Sequence, residues 1–206
     1  MKYYKLTDTN DQTHNGTTWG VRITHKTIGS GKTLCSEDVI HVYDHPLKAI
    51  MFNPIHANFS EYHLWEVRVK KIVANDTLKV GVKQCTTIRQ IDAPIITTEQ
   101  RVRFAILCAL EVYKEKSFVK WAENWLSGKD KSERAAWSAA TSAWSAATST
   151  ERAAWRAAWS AATSAWSAES AWSAATSAWS ADWSAESADK PIDFVSLIKK
   201  IIKEIK

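Results

Sequence analysis

The sequence predicts an α+β protein. A small, mainly antiparallel N-terminal sheet with a helical connector is followed by a long Ala/Ser/Trp-repeat α-helix and a short C-terminal amphipathic helix. Three observations carry this. Apolar and polar residues alternate with period two through much of the first ninety positions, as half-buried strands require. Thr97 and Gln100 form a capping-box pair before an apolar pattern of helical spacing. Residues 132–189 repeat a short unit at a mean step of about 3.5 residues, close to the α-helical 3.6 and far from 2.0. The expected organisation is a head at 1–96, a two-helix connector at 97–128, a charged joint at 129–131, a repeat rod at 132–189 and a basic helix at 190–206.

Residues 2–6 read as a first strand, and Asn15-Gly16 as a turn. Residues 17–24 form a β-rich run with Trp19, Val21 and Ile23 expected on one face. Gly29-Ser30-Gly31-Lys32-Thr33 ends like a phosphate-binding loop. That motif needs a further glycine where Lys26 stands, so a plain turn is expected. Residues 39–43 alternate strictly. Pro46 suits the first turn of a short helix over 47–52, stopped by Asn53-Pro54. Residues 64–70 alternate again, and 77–83 and 86–91 complete about six strands, most with one wet face. A helix from Thr97 to about Lys116 and a second over 118–126, ending at Gly128, make the connector.

The repeat contains neither Gly nor Pro. Each unit opens on Trp, Thr or Glu, continues with Ser or Arg, and closes on one or two Ala. Glu133, Glu151 and Glu169 are 18 residues apart, which is five helical turns. On a helix this makes a Trp/Thr/Glu ridge beside an Ala seam, with Ser on the opposite edge. Unbroken, the stretch spans roughly 85 Å. The ridge holds Trp137, Trp144, Trp155, Trp159, Trp166, Trp172, Trp179 and Trp183. So much indole surface is not left in water, and these residues are expected to form an oligomer interface, Trp against Ala. Packing along the chain's own N-terminal domain is the alternative, and disorder a third. After Pro191, Phe194, Val195, Ile198, Ile201, Ile202 and Ile205 share one face of a basic helix. Such a helix suits an anionic membrane or a partner, but is expected to pack on its own or a sister chain.

The net charge of +5 is mild. The repeat, with 3 Arg against 6 acids, is acidic, while the tail from Lys190 has 5 Lys against 2 acids. Cys35, Cys85 and Cys108 are odd in number and widely spaced, which fits reduced thiols in a cytoplasm. No apolar signal segment opens the sequence. The longest uncharged part of the repeat, 135–150, is 16 residues rich in Ser and Thr, short of the roughly 20 apolar residues of a membrane span.

Several stretches carry a resemblance. They are the Trp19-Gly20 strand, Leu34-Cys35 leading to Val39-Ile40-His41-Val42-Tyr43, His45-Pro46-Leu47, Leu64-Trp65-Glu66-Val67 and Leu78-Lys79-Val80-Gly81. In this order residues 1–128 resemble an uncharacterised phage and prophage domain often followed by Ala/Ser/Trp-rich repeats. The resemblance implies a phage or prophage origin and a host-cell cytoplasm. It carries no activity, cofactor or catalytic residue to this chain.

Little else points to chemistry. His41 and His45 are four apart, and with Cys35 would make an irregular metal set unlike any zinc spacing. No catalytic, cofactor-binding or metal-binding residue is assigned. The favoured reading is a non-enzymatic oligomeric binding or scaffold protein. Its rod multimerises it and its head binds a target, such as a host protein that it inhibits. One alternative is a nucleotide-using enzyme of ADP-ribosyl-transferase-like architecture, with a head cleft at His41, Tyr43 and His45. Another is nucleic-acid binding through Val69-Lys70-Lys71 and the basic tail.

Overall fold

The structure is a computed structural model that describes residues 2–145, 152–166 and 170–204. The chain forms two compact units, Met1–Ile95 and Ile96–Lys206. Strands and helices are both present, and every strand pairing among the described residues is antiparallel.

The first unit is built on a long hairpin of β6 (His63–Asn75) and β7 (Val80–Ile91), numbered with β1 (Tyr3–Thr7), β2 (Gln12–Thr13), β3 (Thr17–Thr18), β4 (Thr24–Lys26) and β5 (Ile40–Val42). Two of the expected strands, 77–83 and 86–91, are therefore one continuous strand. Its turn is held by Asp76, whose Oδ1 accepts from the Leu78 and Lys79 amides at 3.0 and 2.6 Å. β1 pairs with β6, and β7 pairs on its other edge with β5 and β4 in succession. Tyr43, just after β5, exchanges two 2.8 Å backbone hydrogen bonds with Tyr4 of β1. Strand pairing thus returns to its starting strand, which protects sheet edges from foreign pairing. Inside lie Tyr3, Trp19, Val42, Trp65, Val67, Val80, Val82 and Cys85.

Two local expectations are corrected. Residues 17–24 are not one strand: Trp19 is buried, but Val21 is 66% exposed. Gly20 and Arg22 have positive φ, 158° and 61°, so the alternation breaks between them. The first helix, α1 (Pro46–His56), continues through Pro54 instead of stopping at Asn53. Pro54 falls in its last turns, and the Asn53 side chain closes the following turn through both Phe59 backbone groups.

The second unit is all helical: α2 (Thr98–Val112), α3 (Lys116–Leu126), α4 (Glu133–Ser145), α5 (Arg152–Ser164), α6 (Ser170–Ser187) and α7 (Phe194–Glu204). The capping box of α2 forms with both of its hydrogen bonds. The single long repeat helix is overturned. α4 packs on α5, α5 on α6, and both α5 and α6 on α2, which a straight rod forbids. The helices end on local signals. After α5 the Ala165 and Trp166 amides bond three residues back, the tightened last turn common at helix ends. After α6 Asp189 takes φ 52°. The Asp189 and Lys190 amides then bond the Glu186 and Ala185 carbonyls, the paired pattern of a Schellman close.

The expected wet Ser edge is also reversed. Ser160, Ser164, Ser173, Ser177 and Ser180 are all buried with the Ala seam. A Ser is nearly as small as Ala, and its hydroxyl can bond a backbone carbonyl. Ser164 Oγ donates to Ala161 O at 2.7 Å. Ser177 Oγ bonds Ala157 O at 2.8 Å and Ala105 O at 3.2 Å, touching α5 and α2 from α6. The C-terminal helix also packs on its own chain. Phe194, Ile198 and Ile201 are buried, and the Phe194 ring lies 5.9 Å from that of Phe104 in α2. No helix among the described residues is long and apolar enough to cross a membrane.

Enlarging a buried small residue should therefore cost more than removing an exposed indole. Ala174→Leu is expected to destabilise the protein by about 1–3 kcal/mol through overpacking. Trp183→Ser, at an indole 58% exposed, should cost less, about 1 kcal/mol. Thermal unfolding of both variants at high dilution checks the order.

Candidate functional site

Two regions gather the residues singled out by the sequence. The first is the helical unit's outer surface. α5 is covered on several sides, so Ala157, Ala158, Ala161 and Ala162 are wholly buried, as are Ala174, Ala175, Ala178 and Ala181 of α6. What remains facing solvent is the Trp column. Trp137, Trp159, Trp166, Trp172, Trp179 and Trp183 are 38–58% exposed. Trp155 departs from the expectation: it is buried at 9%, with the Arg156 guanidinium 6.0 Å from its ring. The Trp144 side chain lies outside the described residues. An open groove of about 250 Å³ runs between α4 and α5, lined by Trp137, Ala140, Thr141, Trp159, Thr163 and Trp166. None of these side chains is charged. On α6, Trp179 and Trp183 stand with ring centroids 6.1 Å apart.

The second region lies in the head. Of the three cleft candidates, His41 and Tyr43 join one polar cluster, while His45 is occupied as the α1 cap, its Nδ1 accepting from Leu47 N at 3.2 Å. Cys35 donates its backbone N–H to His41 Nε2 at 2.9 Å. Lys79 Nζ donates to Cys35 Sγ at 3.1 Å. Tyr43 Oη lies 3.0 Å from His56 Nδ1. Below them Lys5, 8% exposed, donates to the His41 carbonyl at 3.2 Å, with its ammonium 4.8 Å from the Trp19 ring centre. His56, Lys79 and Lys5 were not legible as partners. Their positions depend on the β1–β5 bridge and the β6–β7 turn, far apart in sequence.

Burial dominates the electrostatics of this cluster. It lowers the His41 pKa to about 4, with the Lys79 and Lys5 charges adding to it and Asp76 opposing. It lowers the His56 pKa to about 3, again with help from Lys79 and then His41. It raises Tyr43, with Asp76 and Cys35 adding to the effect. It lowers Lys5 against a smaller opposing effect of Cys85. Both imidazoles are therefore neutral hydrogen-bonding groups near pH 7. A proton-transfer catalyst works best with a pKa near the working pH, and neither histidine is set there.

The glycine loop also turns out as a tied turn. Lys83 Nζ donates to the Gly29, Gly31 and Asp38 carbonyls, and the Gly31 amide donates to Asp38 Oδ1 at 3.2 Å. A Cβ on Gly29 would come within 1.8 Å of that carboxylate and 3.2 Å of the Asp38 Cα. The glycine serves a close approach, and its neighbour's amide is already taken. No cluster of three or more His, Cys, Asp or Glu able to hold a metal ion occurs among the described residues.

No family model matches the chain, no curated protein matches it, and no solved structure matches it.

Acid should expose the cost of the buried imidazoles. The unfolded chain binds protons at both histidines near pH 6.5, whereas the folded chain resists until about 4 and 3. Protonation thus favours unfolding in that window. The urea midpoint is expected to fall as pH drops from 6.5 to 4. In His56→Phe the midpoint at pH 7 should fall with the lost Tyr43 contact, but its further decline on acidification should be shallower than in the native chain.

Proposed function

We propose that this is a non-enzymatic binding protein that assembles into oligomers through the tryptophan surface of its helical unit, with the head as the target-binding module. One observation carries the reading: six tryptophans stay on the outside of helices whose small residues are already used within the chain. Their exposure amounts to an apolar surface on the order of 600 Å², since each indole side chain can bury about 150–250 Å². Exposed indoles gathered as these are, with Trp137, Trp159 and Trp166 at one groove and Trp179 beside Trp183, mark interaction sites. Aromatic residues are also the ones that dominate interface energies. The head fits a binding role better than a catalytic one, because His41 and His56 are held neutral and His45 caps a helix. Several copies of a weakly binding head on one assembly would gain avidity. A phage or prophage origin, with a host protein as the target, belongs to the same proposal and rests on the resemblance of residues 1–128.

The reading is tested by the mass of the native chain in solution. Light scattering should give a multiple of 23.2 kDa at micromolar concentration. Replacing Trp172, Trp179 and Trp183 together with Ser should return the chain to monomer with its helical circular dichroism unchanged. A native chain that stays monomeric at those concentrations would overturn the assembly role.

A further inference from the structure

Building on that assembly reading, we infer that the α4–α5 groove is the seat for the α6 tryptophan ridge of a second copy of this chain, lying antiparallel to α5. Four features converge on this occupant. The groove carries no charged side chain: Ala140, 4% exposed, lies among Trp137, Trp159 and Trp166, with the Thr141 and Thr163 hydroxyls as its polar groups. An apolar aromatic edge suits it, and a charged one would be left unpaired there.

The spacing matches. Trp159 and Trp166 at the groove are seven residues apart, and so are Trp172 and Trp179 on the ridge. On α6 two turns of helix, roughly 10 Å, separate Trp172 from Trp179, while Trp159 lies within α5 and Trp166 just past its end, both lining the groove. The ends match in charge as well. Exposed Arg156 precedes Trp159 by three residues, one helical turn, and exposed Glu186 follows Trp183 by three. Antiparallel seating brings this cation and this anion to the same end of the contact, while parallel seating separates them. Finally, the area suffices. Reciprocal seating, each copy's ridge in the other's groove, covers about 600 Å² on each copy, roughly 1,200 Å² in all and inside the range of specific protein interfaces.

Complementation separates ridge-in-groove seating from ridge against ridge. A ridge variant (Trp172→Ser, Trp179→Ser, Trp183→Ser) keeps its groove. A groove variant (Trp137→Ser, Trp166→Ser) keeps its ridge. By sedimentation, each alone is expected to be monomeric where the native chain associates, and an equimolar mixture, which keeps one of the two contacts, to form a weaker 1:1 complex at higher concentration. Self-association of either variant at the native level, or a mixture that stays monomeric, would overturn the seating while leaving assembly intact. A native chain that never associates would overturn the assembly itself.

Arg156→Glu and Glu186→Arg supply a second measurement that leaves every indole in place. Each alone should weaken association about threefold, in the range of an exposed ion pair, and the two combined in one chain should restore it. Additive weakening in the combined chain would rule out the antiparallel arrangement.

Discussion

Close approach of helix backbones, permitted by residues no larger than Ser, is the constraint on which the helical unit rests. Ser177 shows it at one atom: its hydroxyl sits within hydrogen-bond distance of the Ala105 and Ala157 carbonyls, so three helices meet around a single small side chain. Larger residues at these positions would push the axes apart and forfeit dispersion contacts along every neighbouring turn. A Ser or Ala buries little apolar area by itself. The favourable energy comes from the density of contacts between backbones, and from hydroxyls that stay satisfied inside. Packing of this kind is usually associated with helices in lipid, where small residues line the interface. Here it occurs where no helix among the described residues is both long and apolar enough to cross a membrane.

The tryptophans follow from that choice. An indole cannot occupy the narrow seam, so the repeat sends most of its largest apolar side chains outward. The protein then carries an apolar surface that its own fold does not use. In an ordinary helical domain the large residues would form the core and the small ones would dilute the surface. The repeat helices invert the arrangement, while α2, α3 and α7 bury Phe104, Phe118, Trp121 and Phe194 in the ordinary way; the inversion is what motivates the proposed role in association.

The head is built on a different principle. Its sheet closes through the Tyr4–Tyr43 backbone pair around a core of aromatic and branched side chains. The same closure brings Lys5, His41, Tyr43 and His56 together with Cys35 and Lys79. Lys5 is the costly member: an ammonium taken from water to lie against the His41 carbonyl and the Trp19 indole face. Desolvation is the largest effect on it and on both histidines, opposed by Cys85 at Lys5 and reinforced by Lys79 at the histidines. These groups thus act as fixed hydrogen-bonding members of a wall, and they give the head a histidine-linked dependence on acid, whereas the helical unit has no histidine.

The sequence by itself determined the local structure wherever a short-range signal was complete. Period-two alternation placed the hairpin strands, the Thr97–Gln100 pair opened α2, and the 3.5-residue step made the repeat helical. It also grouped the indoles in one column, of which six face outward and Trp155 faces inward. Only the tertiary structure decided which column faced inward. A repeating pattern fixes which residues share a face, but Ala and Ser columns are equally able to pack, and the winner depends on how many neighbours a helix acquires. The folding of the repeat into three packed helices was illegible for the same reason. Helix propensity is nearly constant along the stretch, so the contacts that oppose one long rod come from α2 and from distant turns of the repeat itself. In the head, His41 and Tyr43 were visible as neighbours on a strand. His56, Lys79 and Lys5 joined them only because β-sheet closure brings together residues dozens of positions apart, and no local pattern encodes that meeting.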